Sequence, residues 1–451
     1  MVKFLLPSVF VTLLSALRVV GEGIDLESRD LDNRSVRPGI RNGHWVATWA
    51  SMPQLTEPHN LPEAPFNETG RVFHNSTIRQ TVKVSVGAEQ IRVRFSNAFG
   101  GSDLPITAAT IALPADGEYE GSGSRVIQTK TLETLTFSGS KSFLVPQGAL
   151  VVSDPINFKL KPGAIVTVSL YLADGQQTNF VTSHPGSRTN SWFSFGNHVT
   201  AKNLTDSSTQ NVAHWFFLSA IEAWSHKSTS TFVIIGDSIT DGRGSDNDAN
   251  NRWSDLLAAN MRKNHFTSQI GLLNQAAGGN RILNDGLGPN VLARIDRDVL
   301  AQPGIKYALI FEGVNDIGTT DTTEEAQSEI GDRIISAYKQ TIARVHAAGI
   351  PIFGATITQF MAPNSTIQPY SHPTREVTRK KVNHWIRKSG AFDAVVDFDK
   401  LLADPKDPSQ LNPKYHGGDY LHPNVAGFQK MADAFPLHAF AKFQYGVDTF
   451  T

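Results

Sequence analysis

"TFVIIGDSITDG", residues 231–242, sets an apolar run directly against a glycine, an acid and a serine. Residues 231–235 read as a short buried strand, rich in β-branched side chains. The run breaks at Gly236-Asp237-Ser238, so a serine hydroxyl stands where a buried strand ends. In open α/β sheets, sites form at the carboxyl ends of strands. A serine there gains meaning if other strands deliver polar groups to the same edge.

From about Ser225–Thr229 onward, apolar runs alternate with helical patterns. The runs are 231–235, 270–274, 307–312, 350–357 and 394–397. Between them lie helix-period stretches at 252–264, 291–302, 324–349 and 374–390. The third ends cleanly at Gly349, before Pro351. This alternation predicts right-handed crossovers and a parallel sheet. The strand ends carry "GDS", then "QAAGGN" (275–280), then "GVNDIG" (313–318). Past the last strand comes "GGDYLHPN" (417–424), leading into a helix from about Val425.

The earlier half has a different grammar. Residues 77–86 and 90–97 alternate with period two around Gly87-Ala88-Glu89, which predicts a hairpin. Residues 106–113, 149–154 and 164–173 continue the pattern, with Pro and Gly in the gaps. Short strands with turn signals predict an antiparallel sandwich over 44–226, followed by the α/β region over 227–445. The chain's 451 residues are enough for two domains.

Lys and Arg (41) nearly balance Asp and Glu (42), so no global field draws the chain to nucleic acid or to an anionic membrane. Lys3 precedes the apolar stretch 4–17, and Arg18 closes it below the ~20 residues a membrane span needs. Residues 1–23 read as a signal peptide of a secreted protein rather than an anchor, and 24–43 as a disordered leader. Asn33, Asn67, Asn75, Asn203 and Asn364 begin Asn-x-Ser/Thr acceptor patterns for glycosylation. There are 0 cysteines, so stability rests on core size rather than disulfides.

A serine hydroxyl is a poor nucleophile near neutral pH and needs a base. His422 is the candidate base. Asp419, three residues earlier, can turn back to hold the other ring nitrogen. Acyl transfer also builds an oxyanion, which needs fixed donors. The Ser238 N–H, the Gly279 N–H and the Asn315 side-chain amide are the candidates, with Gly278 an alternative to Gly279.

"GDSITDG", "NQAAGGN", "GVND" and "DYLHP" resemble, in order, the four blocks of the SGNH (GDSL-type) hydrolase and esterase superfamily. The resemblance covers about half the chain. It implies a flavodoxin-like three-layer α/β/α fold and a serine esterase. Residue by residue, it implies Ser238 as nucleophile, Gly279 and Asn315 as oxyanion donors, His422 as base and Asp419 as the triad acid. Ile239 stands where the GDSL name has leucine. The first block does not fit the G-x-S-x-G elbow of α/β hydrolases, since the closing glycine would fall on Thr240.

The expected reaction is hydrolysis of carboxylic esters through an acyl-enzyme, without metal or cofactor. Short acyl esters are favoured, with acetylated polysaccharides among them, because no long apolar lid segment is visible. A lipase or phospholipase with the same triad, and a non-catalytic carbohydrate-binding protein, are the alternatives. Acyl-chain length and oligomeric state stay open at this level.

Several further residues invite a role. Asp237 and Asp316 are expected to satisfy backbone N–H groups in their turns. Arg281 could contact a carboxylate or sugar, or form a salt bridge. Residues 245–251, "SDNDANN", offer oxygens at Asp246, Asp248 and Asn250 in the manner of a calcium loop. Asn251 and Leu257 occupy that loop's glycine and glutamate positions, however, so the stretch reads as a solvated or substrate-rim loop. His416, Asp419 and His422 have ligand-type side chains, but no fourth zinc ligand accompanies them. Trp45 and Trp49 read as core. Trp192, Trp215 and Trp224 are candidates for a sugar platform, with burial the stronger reading. Residues 94–101, "RFSNAFGG", could pack against the catalytic region.

Overall fold

The structure, a computed structural model, describes residues 42–115 and 119–447. The expected signal peptide, the leader as far as residue 41, and Asn33 lie outside the described residues. Among the described residues no helix is long and apolar enough to cross a membrane.

As far as Ser225 the sheets are antiparallel. One runs in the order His44–Ala50, Leu218–Ser225, Ala88–Ser96, Ile156–Leu160, with Leu150–Val152 also on Ala88–Ser96. A second runs Gln210–Val212, Ser191–Phe195, Ser76–Lys83, Ile165–Leu172, Ala108–Ala112, Glu133–Thr134. Ile91, Val93 and Phe95 of the first share one core with Ile78, Val82, Val166, Val168 and Leu170 of the second. That is how two sheets bury their inner faces together.

The hairpin expected from 77–86 and 90–97 does not form. Ser76–Lys83 pairs with Ile165–Leu172 and Ser191–Phe195. Ala88–Ser96 pairs with Leu218–Ser225 in the other sheet. The link between them turns a corner from sheet to sheet. Val84 N–H donates to Ala164 O and Ser85 N–H to Thr48 O. A Cβ on Gly87 would come 2.6 Å from Leu160 O, so the corner closes only with glycine there. The run 106–113 is likewise divided, between Leu104–Ile106 on Phe143–Val145 and Ala108–Ala112 on Ile165–Leu172.

From Ser230 the sheet is parallel, in the spatial order Ile270–Ala276, Ser230–Gly236, Ile305–Phe311, Ile352–Ala355, Ala394–Val396. In chain order this is 2-1-3-4-5, the flavodoxin-like arrangement. One face packs Val233 and Ile235 against Ile334 and Val345 of helix Glu324–His346. The other packs Phe232 and Ile234 against Trp253 and Leu257 of helix Trp253–Lys263 and Phe428 of helix Val425–Asp433. A strand covered on both faces has no polar side to show, which is why 232–235 is continuously apolar. The helix expected over 291–302 is α over Val291–Ile295 and continues as one π turn over Asp296–Leu300.

The parallel sheet would leave Ile270–Ala276 as an open edge, and such edges attract unwanted pairing. Here the antiparallel half covers it. Ser85 Oγ accepts from Leu272 N–H at 3.0 Å and donates to Thr48 O at 2.6 Å. Thr231 Oγ1 donates to Ala47 O at 3.1 Å. Ala47, Ala50 and Ala220 join the core around Val233 and Leu273. Arg94 Nη1 reaches Gln302 Oε1 at 3.4 Å, and Arg297 lies 5.1 Å over the Phe99 ring, so the 94–101 segment does meet the α/β half. Ser85→Ala strands a buried N–H and weakens this seam; an expected loss of about 1–3 kcal/mol is measurable by urea unfolding.

Candidate active site

Strand Ser230–Gly236 passes into the short helix Ser238–Asp241 with Asp237 at its cap. A Cβ on Gly236 would lie 2.6 Å from the Thr240 side chain and 3.2 Å from Phe311 O. Only glycine lets the chain turn so tightly against the neighbouring strand. Asp237 Oδ1 accepts the Ile239 N–H at 2.9 Å, the turn role expected for it. Ser238 therefore opens the helix at the sheet's carboxyl edge. Among the described residues, its N–H has no protein acceptor.

His422 arrives from the loop between the short helix Phe398–Leu402, which follows the last strand, and the helix Val425–Asp433. Asp419 Oδ1 accepts the N–H groups of Leu421 and His422, at 3.1 and 3.0 Å. This Asx turn, with Tyr420 at φ 58°, folds the loop back. Asp419 Oδ2 then meets His422 Nδ1 at 2.6 Å. The other ring nitrogen, Nε2, lies 2.8 Å from Ser238 Oγ. With the Nδ1 hydrogen directed to Asp419, Nε2 faces the hydroxyl as an acceptor. Asn424 caps the helix that follows, accepting from Gly427 N–H at 3.0 Å, and so anchors the loop's far side.

Electrostatics separate the acids. Burial pushes Asp237 up to about 7 and Asp316 up to about 6. Burial pushes Glu312 well above the usual carboxylate range, and nearby Asp237 adds to the shift. Asp419 goes the other way. Burial opposes its charge, but hydrogen bonds from the His422 ring and backbone, and the ring's charge, hold it well below the usual range. Burial lowers His422; Asp419 raises it, and Arg243 and Arg188 lower it further. The result is an ionised Asp419 beside a neutral imidazole.

Gly279 adopts φ +73°, and a Cβ there would come 2.4 Å from Leu287 Cδ1. Among the described residues its N–H has no protein acceptor, whereas the neighbouring Gly278 N–H is committed to Asp241 Oδ2 at 3.0 Å. Gly279 is thus the free donor of the pair. Asn315 Nδ2 donates to Asn280 O at 2.9 Å, and its Oδ1 accepts from Tyr370 OH at 3.1 Å. The amide's orientation is fixed, with one N–H to spare. Asp316 accepts from Ile282 N–H and Leu283 N–H, at 2.9 and 3.0 Å. It braces the loop after Gly279 rather than its own turn. Buried Arg294 donates to Asn280 Oδ1 at 3.1 Å.

Arg294 and Tyr370 carry no signal in the sequence, because nothing in their spacing ties them to Ser238; Asn280 lies in the quoted stretch 275–280, beside Gly279, without an assigned role. Asp241 sits in the opening stretch itself, three residues after Ser238, and that helical spacing was its available signal. His184, from the antiparallel half, meets Asp241 at 2.9 Å and carries no motif.

The other candidates have quieter places. Arg281 donates to the carbonyl of Asp285 in its own loop. Residues 245–251 are partly docked: Asp246 and Asn247 are exposed, while Asp248 accepts from Asn190 N–H and Nδ2, and Asn250 Nδ2 donates to Ser122 Oγ. Among the described residues no group of three His, Asp or Glu is arranged to hold a metal; His416 Nδ1 accepts the Gly418 N–H. Trp49 and Trp215 are buried against each other. Trp45 packs edge-on to half-buried Trp224, and half-buried Trp192 donates to Gly123 O. Asn75 and Asn364 are exposed, while Asn67 and Asn203 are half-buried.

Residues 234–430 match the model of the GDSL-like lipase/acylhydrolase family. No curated protein matches the chain. Among solved structures, the chain is similar to a GDSL-like lipase from Bacteroides thetaiotaomicron, at 17% identity over 48% of this chain and 91% of that one, TM-score 0.35. It is also similar to an acetyl xylan esterase from Geobacillus stearothermophilus, at 21% identity over 47% of this chain and 96% of that one, TM-score 0.35.

The His422 ring should titrate below the ordinary imidazole value of 6.5. A positive neighbour disfavours the imidazolium, so Arg243→Gln should move that titration upward. Ring chemical shifts followed against pH by NMR test both statements.

Proposed function

We propose, from the GDSL-like lipase/acylhydrolase domain that residues 234–430 form, that this carboxylic ester hydrolase is a secreted serine esterase working through Ser238, His422 and Asp419. The observation that carries the reading is the unbroken relay Ser238 Oγ to His422 Nε2 at 2.8 Å and His422 Nδ1 to Asp419 Oδ2 at 2.6 Å. Its pattern over residues 1–23 supports export.

Ser238 Oγ attacks the ester carbonyl as His422 Nε2 takes its proton. Asp419 holds the ring in the required tautomer and balances the imidazolium. The carbonyl oxygen becomes an oxyanion, met by the N–H groups of Ser238 and Gly279 and by Asn315 Nδ2. Collapse breaks the bond to the alcohol, which leaves with the proton from Nε2. Water then gives a proton to His422 as it attacks the acyl-enzyme; collapse of this second intermediate releases the acid, and His422 returns the proton to Ser238 Oγ.

The substrates are short acyl esters, acetyl groups on polysaccharides among them. One feature supports this reading: among the described residues no long apolar lid segment is visible. Ser238→Ala should abolish hydrolysis of p-nitrophenyl acetate, and undiminished turnover would end the proposal. Asn315→Ala should lower kcat by about 10²–10³-fold. A panel of p-nitrophenyl esters from acetyl to palmitoyl should peak at the short end; a maximum at long chains moves the reading to a lipase. Binding to glycans without turnover of any ester would point to the non-catalytic alternative.

A further inference from the structure

We infer that His184, a residue of the antiparallel half, positions the oxyanion loop of the serine site by holding Asp241. The inference rests on the esterase reading above and extends it to a residue outside the matched segment 234–430.

Asp241 closes the same four-residue helix that Ser238 opens. Its two carboxylate oxygens are divided between two tasks. Oδ2 accepts the Gly278 N–H at 3.0 Å, and Oδ1 lies 2.9 Å from His184 Nε2. The peptide after Gly278 carries the N–H of Gly279. Fixing Gly278 therefore fixes where that donor points. One carboxylate thus locks the nucleophile's helix to the oxyanion loop, and His184 locks the carboxylate.

His184 is itself held from several sides. It ends the strand Thr182–His184. Nδ1 faces Met52 O at 3.0 Å, and the ring stacks on Trp215 at 5.7 Å between centroids. The two side chains of the pair are 5% and 3% exposed, so water does not compete for the contact. Gly186, two residues on, passes so close that a Cβ there would fall 1.7 Å from Asp241 Oδ2. Arg252 ties the same turn down through the carbonyl of Ser187. The antiparallel half thus presents a rigid turn to the Asp241 carboxylate.

This arrangement is more than a structural ion pair because of where its far end lies. Many buried His–Asp contacts only join two elements. Here the partner of the carboxylate is the backbone amide next to the oxyanion donor. Displacing a donor by about 1 Å can cost on the order of 10²-fold in rate. The ground-state ester does not need that donor as the transition state does, so loss of positioning should fall on kcat.

His184→Leu keeps much of the ring's volume and removes the contact to Asp241. His184→Gln keeps a donor at similar reach. With p-nitrophenyl acetate, the leucine variant should lose about tenfold to hundredfold in kcat with KM little changed. Its affinity for a phosphonate transition-state analogue should fall in parallel, and the glutamine variant should recover to within about fivefold of wild type. A folded leucine variant with kcat within about twofold of wild type overturns the inference, as does a glutamine variant no better than leucine.

If the leucine variant does not fold, His184→Asn decides. Its amide nitrogen stands near the place of Nδ1 and keeps the Met52 carbonyl, but it is too short to reach Asp241. The same loss in kcat, about tenfold or more with KM little changed, is expected. A folded asparagine variant with kcat within about twofold of wild type overturns the inference. Ser238→Ala separates the two levels. Retained turnover there sinks the esterase reading itself, whereas an inactive Ser238→Ala beside an unaffected His184→Leu sinks only the role of His184.

Discussion

One hydrogen bond, Ser238 Oγ to His422 Nε2, joins side chains 184 positions apart, and the α/β half is arranged so that it can exist. Parallel strands all point their carboxyl ends to one edge. The strand order places Ser230–Gly236 between Ile270–Ala276 and Ile305–Phe311, which lead into the loop of Gly279 and the short helix Val314–Thr319 that carries Asn315. Three turns therefore converge beside Ser238 without any long excursion of the chain. His422 completes the set from the loop capped by Asn424. The apolar floor beneath, with Val233 and Ile235 fully buried, fixes the strands from which those turns spring.

The same floor sorts charge. Asp237, Glu312 and Asp316 sit where burial raises their carboxyl groups above the usual range. Each is therefore easier to protonate than a carboxyl group in water. Asp419 lies on a loop, 41% exposed, hydrogen-bonded to an imidazole and to two backbone N–H groups. Its charge is stabilised beside the His422 ring. Acids with one intrinsic chemistry are driven apart by their surroundings. The position of each relative to the sheet decides which way it goes.

The antiparallel half is bound into this scheme. It covers the edge of the parallel sheet through Ser85, meets the adjoining strand through Ala47, and reaches Asp241 through His184. Its own architecture was harder to read. Residues 77–86 and 90–97 alternate as hairpin strands do, yet they lie in different sheets. Alternation reports that a strand has two unlike faces; it does not report its neighbour. The tight corner depended on Gly87 meeting Leu160 O, a contact between residues far apart in the chain. The docking of 245–251 onto Asn190 and Ser122 was hidden for the same reason.

What the sequence determined by itself is local: the apolar run 231–235, its break at Gly236-Asp237-Ser238, the strand–helix alternation and the turn from Asp419 to His422. Each follows from periodicity, from backbone freedom or from hydrogen bonds within a few residues. Tertiary structure decided the rest. It chose Gly279 over Gly278 as the free donor, because Asp241 occupies the Gly278 N–H. It set the direction of each carboxyl's shift, because burial is a property of the assembled core. It brought His184 to Asp241, a contact that exists only once two sheets of different kind have packed together.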